Sequence, residues 1–393
     1  MKILHVINYY QEGFGYQENW LPFYQKELGH EVLVATSDYY FPFIDYDNTM
    51  KKRLGERYVG VGSFQDKGVR IVRLKSVFDS IGSAGILYIG ISNVLVDFMP
   101  DVVHVHGATN LCIPNLVRLK KKYAYKLFVD THMDYSVARK NGGYKEKLFY
   151  AIWKGYYHSY GAKKAISKFL PITRDARKWA ADKLLLADSD MAMSPLGVDT
   201  KSMFYDEEQS NRFRKKHGLV GKTVVVNAGK QHQAKRIDWI IDVVHQSIER
   251  GADVFLILVG SAGKEYDSLI KEKLEKMSGT YLRLPFLERE ELRTVYSACD
   301  IGIWPGMPSN TIQEAMACKV AIILPNDDIV GHLIDGNGLT ESQDPDVAAD
   351  YICSLSQDKG LLETHKTRSA DIASKYSWQS ITKDLMDIYN GNS

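Results

Sequence analysis

The sequence predicts an α/β protein built from two doubly wound domains. Three observations carry that reading. A chain of 393 residues is too long for one ordinary hydrophobic core. Short apolar runs alternate with longer amphipathic segments, the pattern of a parallel sheet covered by helices on both faces. That alternation runs out near residue 200 and then begins again.

Taken in order, Lys2–Asn8, Glu31–Thr36, Val69–Leu74, Val102–His106, Lys126–Thr131 and Phe169–Thr173 read as short buried strands. Gln17–Leu28, Ser80–Phe98, Lys145–Lys164 and Asp175–Leu185 have helical length and periodicity. Gly29, between Leu28 and His30, stops the first helix before the next strand starts. Ser80 to Val96 carries no charge, but it is short for a bilayer span and reads as a helix buried against the sheet. The boundary falls near Pro195–Asp199 and the polar stretch Glu207–Lys222. Beyond it come a strand at Thr223–Asn227, a helix at Arg236–Arg250, a strand at Val254–Val259 and a helix at Lys264–Met277. Tyr281–Leu284, Glu290–Ala298, Ile301–Trp304, Ser309–Ala317 and Val320–Leu324 continue the alternation, and Trp378–Tyr389 is a last helix outside it. The expected domains are 1–200, 201–375 and a closing helical segment 376–393, the two larger ones facing across a cleft.

Composition narrows the class. The chain is 45% hydrophobic and 25% charged, as soluble globular proteins are. Its four cysteines (Cys112, Cys299, Cys318, Cys353) form no CxxC pair, which suits a reducing cytoplasm and gives no metal framework. Met1-Lys2 leads straight into an apolar strand without the shape of a signal peptide. Net charge is only +2, yet residues 100–190 hold 17 Lys/Arg against 8 Asp/Glu, with Trp153, Tyr156, Tyr157 and Tyr160 interleaved. Two readings stay open: solvated helix faces, or a surface for anionic lipid head groups or a pyrophosphate-linked acceptor. No nucleic-acid-binding motif accompanies the charge.

The chemistry concentrates at Ile301–Ala317. An apolar strand breaks at Pro305-Gly306 and Pro308, and a helix opens at Ser309-Asn310-Thr311 with Glu314 in its first turns. Backbone N–H groups at such an edge receive a phosphate, and a carboxylate beside them receives paired sugar hydroxyls. Gly229-Lys230 and Lys235-Arg236 follow the strand Thr223–Asn227, so two lysines can close on a diphosphate from two sides. Nothing matches GxxxxGK[ST], and Gly13-Phe14-Gly15 lacks the third glycine of a dinucleotide fingerprint. Asp45-Tyr46-Asp47 and Asp188-Ser189-Asp190 look like metal-binding DxD elements but read as loop acids from their context. His104 and His106 read as structural, and His132 by itself as a cap on its strand.

The chain resembles the retaining, GT-B-fold glycosyltransferases of family 4 over nearly its whole length. The resemblance is carried by Gly15-Tyr16-Gln17-Glu18, Gly29-His30-Glu31-Val32, Asp101 to Gly107, Thr131-His132 and Pro195-Leu196-Gly197-Val198-Asp199. Gly229-Lys230 with Lys235-Arg236, Glu314-Ala315-Met316-Ala317, Gly336 to Leu339 and Tyr376-Ser377-Trp378 complete it. It implies that Lys230 and Lys235 hold the donor diphosphate together with Gly229 and the N–H groups of Ser309, Asn310 and Thr311. Glu314 would bind the ribose, Gly15 would sit close to the sugar or phosphate, and His132 beside the reacting sugar. The base would lie between Gly260-Ser261 and the turn holding Phe286 and Leu287. Asp134 and Arg174 are candidate acceptor contacts, and the last helix would cross back onto the N-terminal domain.

One position departs from the family. A second glutamate, eight residues before Glu314, usually grips the transferred sugar; here it is Gly306, and the glycine usual after Ala-Met-Ala-Cys is Lys319. Sugar recognition then falls to Asn310, Trp304 or a backbone group. The resemblance implies transfer from a UDP- or GDP-linked sugar to a glycan or polyprenyl-linked acceptor, in bacterial surface polysaccharide synthesis. The implied place is the cytoplasm, with peripheral contact to the anionic inner face of the cell membrane. No cofactor and no metal are expected, since paired lysines can neutralise the leaving diphosphate. Two alternatives remain: a nucleotide-sugar epimerase or hydrolase of the same fold, and a non-catalytic nucleotide-sugar-binding subunit.

Overall fold

The computed structural model describes residues 1–43, 45–80, 85–133, 135, 143–306, 309–341 and 344–392. The chain divides into two compact units, Met1–Pro195 with Ile381–Ser393, and Leu196–Ser380. Residues 196–200 and 376–380 belong to the second unit. Val198 N–H donates to Tyr376 O at 3.0 Å, and Trp378 N–H donates to Val198 O at 3.0 Å. Among the described residues no helix is long and apolar enough to cross a membrane.

The strands of the first unit are β1 (Lys2–Val6), β2 (Glu31–Ser37), β3 (Gly62–Asp66), β4 (Val69–Leu74), β5 (Ser76–Ser80), β6 (Gly85–Tyr88), β7 (Val102–Val105), β8 (Lys126–Thr131) and β9 (Lys168–Pro171). Seven of them form one sheet in the order β3-β4-β2-β1-β7-β8-β9, parallel except where β3 meets β4. Because successive side chains point to opposite faces, Leu4, Val103, Leu127 and Val129 join one core with Trp153, Tyr157 and Trp179. Ile3, Val102, Phe128 and Leu170 join the other with Leu21, Leu385 and Tyr389. The end of the last helix, Trp378–Asn390, is thus core of the first unit.

The second unit has β10 (Thr223–Ala228), β11 (Val254–Val259), β12 (Tyr281–Leu284), β13 (Ile301–Ile303), β14 (Ala321–Pro325) and β15 (Gly338–Glu341). They form a parallel sheet in the order β12-β11-β10-β13-β14-β15. Val224 and Val226 face one core and Val225 the other. In each unit the chain runs outward on one side of its first strand and then restarts on that strand's other side. Crevices form at such switch points, at the carboxyl ends of the strands.

Several expectations are corrected. Ser80–Phe98 is not one helix: β5 pairs antiparallel with β6, and the helix is only Ile91–Phe98. Gly90 at φ 101° makes the break that the absence of charge conceals, while Ile86, Leu87 and Tyr88 suit a strand; residues 81–84 lie outside the described residues. The helix expected at Lys145–Lys164 is Tyr144–His158, followed by a 3-10 turn at Ala162–Ala165. Gly161 at φ 72° separates the two. Trp153 and Tyr157, taken as part of a basic aromatic surface, are core. Glu207–Lys216, in the polar stretch placed at the boundary, is a helix capped by the Asp206 carboxylate, and its Arg214 pairs with buried Asp300 at 2.6 Å. Thr173 caps the helix Arg174–Leu184 rather than ending β9.

Candidate functional site

In the second unit the ends of β10, β11, β12 and β13 form one edge. Gly229 leaves β10 at φ 136° and Gly260 leaves β11 at φ 123°, both in the region that favours glycine. The two backbones touch there: a Cβ on Gly260 would lie 2.1 Å from Gly229 O. Gly229 also approaches the loop after β13, since its Cβ would meet Ser309 Oγ at 3.6 Å. Thr311 Oγ1 donates to Ala228 O at 2.9 Å and lies 2.8 Å from Ser309 Oγ, whose hydroxyl can donate back to it. These contacts hold the start of the helix Thr311–Ala317 against the end of β10. Lys230 is exposed. Lys235 ends a 3-10 turn at Gln233–Lys235, and burial pulls its ammonium down to about 8. The structure therefore brings Gly229, Gly260, Ser309 and Thr311 to one edge.

Glu314 sits one turn into that helix, 3.1 Å from Arg289 Nη2. Burial pushes its carboxyl up, and the Arg289 guanidinium opposes that shift. A half-buried carboxylate with a cation on one oxygen is suited to accept hydroxyl protons on the other. Beyond Gly260 lies a pocket of about 280 Å³ lined by Gly260, Ser261, Ala262, Asp267, Arg283, Leu284 and Pro285. It lies between Gly260-Ser261 and the turn after β12. Asp267 and Arg283 in its wall pair at 2.7 Å. Of the two residues expected on the following turn, Phe286 is exposed and Leu287 half-buried.

Gly306 is the position where the resemblance implies a glutamate. A Cβ there would lie 2.2 Å from Ala234 O and 2.9 Å from Lys235 Cα. The lysine loop occupies the space that a side chain would need. Trp304 is no sugar contact either: it is buried, and its indole N–H donates to Ala228 O at 3.2 Å. Asn310 is exposed at the start of the helix.

In the first unit, alternation places His5, His104, His106, Asp130 and His132 on the same face of β1, β7 and β8 and their carboxyl ends. Asp130 Oδ2 lies 2.7 Å from His106 Nδ1, 3.3 Å from His104 Nε2 and 3.5 Å from His132 Nε2. Gly107 N–H donates to Asp130 Oδ1 at 2.8 Å. His5 Nδ1 is 2.9 Å from His106 Nε2, and its Nε2 is 2.7 Å from Gln25 Oε1. Tyr389 closes the layer, with its hydroxyl 2.6 Å from His104 Nδ1. Burial would raise the Asp130 carboxyl, but His106 and His132 outweigh it and hold it well below the usual carboxylate range. Burial, and then His106, pull His104 down to about 4. His132 is the exposed end of the cluster, its side chain 40% accessible. Burial pushes Glu18 up against the pull of His106 and His132, which places its carboxyl in the same field.

His106, Asp130 and His132 bring ligand atoms within 4.8 Å of one another, as do His5, His104 and His106. Either set has metal-binding chemistry, yet these atoms already lie in contact with one another. We read the group as an ion-pair and hydrogen-bond cluster. Gly15, at φ 72°, lies in the loop after β1. Arg174 is exposed at the start of its helix, and Asp134 lies outside the described residues. The DxD-like acids are structural in part: Asp190 pairs with Lys163 at 2.7 Å and Asp188 with Arg177 at 3.0 Å. Sequence reasoning misses Arg289, His5 and Asp130. The signal for the last two was present, as polar residues inside otherwise apolar strands.

Residues 222–358 match the family described as glycosyl transferases group 1. The second unit carries a glycosyltransferase group 1 region. Spore coat protein SA of Bacillus subtilis (strain 168) is 23% identical over 220 residues, 50% of this chain. The match spans 57% of that relative, little more than half its length. Sucrose-phosphate synthase from Thermosynechococcus elongatus aligns over 100% of this chain and 99% of its own, with a TM-score of 0.70 and 14% identity. Anabaena Alr3699/HepE, solved in complex with UDP, aligns over 100% of both chains with a TM-score of 0.70 and 15% identity. At these identities the likeness is one of fold. The chain has the GT-B fold of these glycosyltransferases.

Proposed function

We propose that this chain is a retaining glycosyltransferase that moves a sugar from a UDP- or GDP-linked donor to a glycan or lipid-linked saccharide. The observation that carries the reading is the edge of the second sheet, where the Gly229–Lys235 loop, the start of the helix Thr311–Ala317 and Glu314 gather at the β10/β13 switch point. Lys230, Lys235 and the N–H groups of Ser309, Asn310 and Thr311 would take the diphosphate, and Glu314 the ribose hydroxyls. The pocket at Gly260 and Arg283 would take the base. The bond from the anomeric carbon to the diphosphate oxygen breaks while the acceptor oxygen bonds to the same face of that carbon. The leaving phosphate oxygen takes the acceptor's proton. The lysines supply the charge stabilisation that another design would draw from a metal ion.

The acceptor reading, a lipid-linked or anionic glycan for a bacterial surface polysaccharide such as O-antigen or capsule, rests on the family resemblance and on the basic first unit. A lipid-linked acceptor would bring the protein to the cytoplasmic face of the cell membrane. The lack of room for a carboxylate at Gly306 favours a second reading, a nucleotide-sugar-binding subunit without turnover. A panel of UDP- and GDP-linked hexoses tests both. One donor should raise the melting temperature and be consumed, and Lys235→Ala should lower turnover about a hundred- to a thousand-fold without unfolding the protein. Stabilisation without turnover selects the second reading; no stabilisation by any donor removes both.

A further inference from the structure

The helix Tyr144–His158 is apolar on two opposite sides, and among the described residues only one of them packs into a core. Its inner side, Trp153 and Tyr157, is buried in the core of the first unit. On its outer side Tyr144 is 81% exposed, Leu148 48% and Ile152 63%. With 3.6 residues per turn, these three fall within an arc of about 80°. Tyr160, just past the helix end, is 86% exposed, its ring 6.2 Å from that of Tyr156. Exposed lysines border the ridge, Lys145 on one side and Lys147 and Lys154 on the other. Large apolar side chains so contiguous and so exposed mark a contact surface.

We propose that this outer face is a docking surface for an anionic lipid bilayer, on which the helix lies flat in the head-group region. The occupant follows from chemistry. Lysine is depleted at protein–protein interfaces, whereas here three lysines flank the apolar ridge. Lysines beside an apolar ridge can lay their stems on the hydrocarbon boundary and keep their ammonium groups among anionic head groups. Tyrosines stand at both ends of the ridge, and the tyrosine ring favours the membrane–water interface. The helix is about 22 Å long and charged along its flanks, so it lies on a bilayer and does not span it. The helix belongs to a segment, residues 100–190, with nine more cations than anions, which adds long-range attraction to the same partner. The choice of a lipid partner rests in part on the lipid-linked acceptor proposed above; the exposed face is independent of it.

The test is co-sedimentation of the full chain with vesicles of phosphatidylcholine alone or mixed with phosphatidylglycerol. Binding should need the anionic lipid and fall as salt rises. Leu148→Glu combined with Ile152→Glu should weaken it at least about tenfold, and each of Lys145→Gln, Lys147→Gln and Lys154→Gln roughly fivefold. Val220→Glu, an exposed apolar position of the second unit, should change nothing. Melting temperatures show that the variants are folded. No sedimentation of the unaltered chain overturns the proposal, as does sedimentation unaffected by the ridge variants. Ridge variants that instead dissolve a dimer in analytical ultracentrifugation without lipid would assign the face to a second copy of the chain. Donor turnover on a water-soluble acceptor should be the same in all of them. Vesicle binding without donor binding would sink the transferase reading and leave the surface standing.

Discussion

Lys235 and Gly306 meet at the point where one backbone leaves no room for another. With its ammonium pulled down to about 8 by burial, Lys235 is charged at neutral pH and loses its proton as the pH rises through that value. A diphosphate needs the charged form, so its affinity should fall above about pH 8, approaching tenfold per pH unit. Titrating UDP or GDP binding by calorimetry from neutral to alkaline pH checks this, and Lys235→Arg should flatten the profile because a guanidinium keeps its charge. Gly306→Ala would push the lysine loop out of place, costing about 1–3 kcal/mol as overpacking does and weakening nucleotide binding with it. Gly306→Glu should behave no better. A glutamate variant with an unchanged melting temperature and tighter nucleotide-sugar binding would contradict the packing argument. The sequence shows a glycine where the family resemblance implies a carboxylate; that the space is taken by Ala234 and Lys235 is visible only in three dimensions.

The strands carry most of what is legible at the level of elements, and the reason is burial. β1, β7, β8, β10, β11 and β13 are mainly apolar runs because helices cover both their faces, so their carboxyl ends are found from sequence. The hairpin β5–β6 is not, since the run containing it lacks charge and a buried helix shows the same signal. The helices Pro345–Gln357 and Lys359–Lys375 go unread as well. The polar layer across β1, β7 and β8 is half legible, for alternation reveals its histidines and only the register of three strands gathers them on Asp130. That layer should make the first unit sensitive to acid. His104 is held down to about 4 from an ordinary value near 6.5. Between those values the unfolded chain binds a proton that the folded chain refuses, so stability present above about pH 6.5 is lost as the pH falls toward 4. Asp130, held low in the folded state, acts in the same direction at still lower pH. Melting temperatures measured from pH 7 to pH 4.5 should fall, less steeply for His104→Gln; equal slopes would remove the cluster from the account.

At the scale of the whole molecule, the two parallel sheets follow from a pattern that stops and restarts, while the way the chain is shared between the units does not. Periodicity marks Trp378–Tyr389 as a helix but carries no information about which core its apolar side enters. The family resemblance implies the first unit, and the contacts of Leu385, Met386 and Tyr389 lie there. This sharing gives the protein an order of assembly during synthesis. Domains tend to fold as they emerge from the ribosome, the N-terminal one first. Here the first unit cannot finish that way, because Tyr389, which covers His104 and Phe128, is translated after all 185 residues of Leu196–Ser380. Until then the histidine layer has no lid on that side. The nascent chain therefore carries a half-built first unit through the whole synthesis of the second, and a ribosome that stops short of residue 389 releases a protein whose second sheet is complete and whose acid-sensitive layer lies open to water.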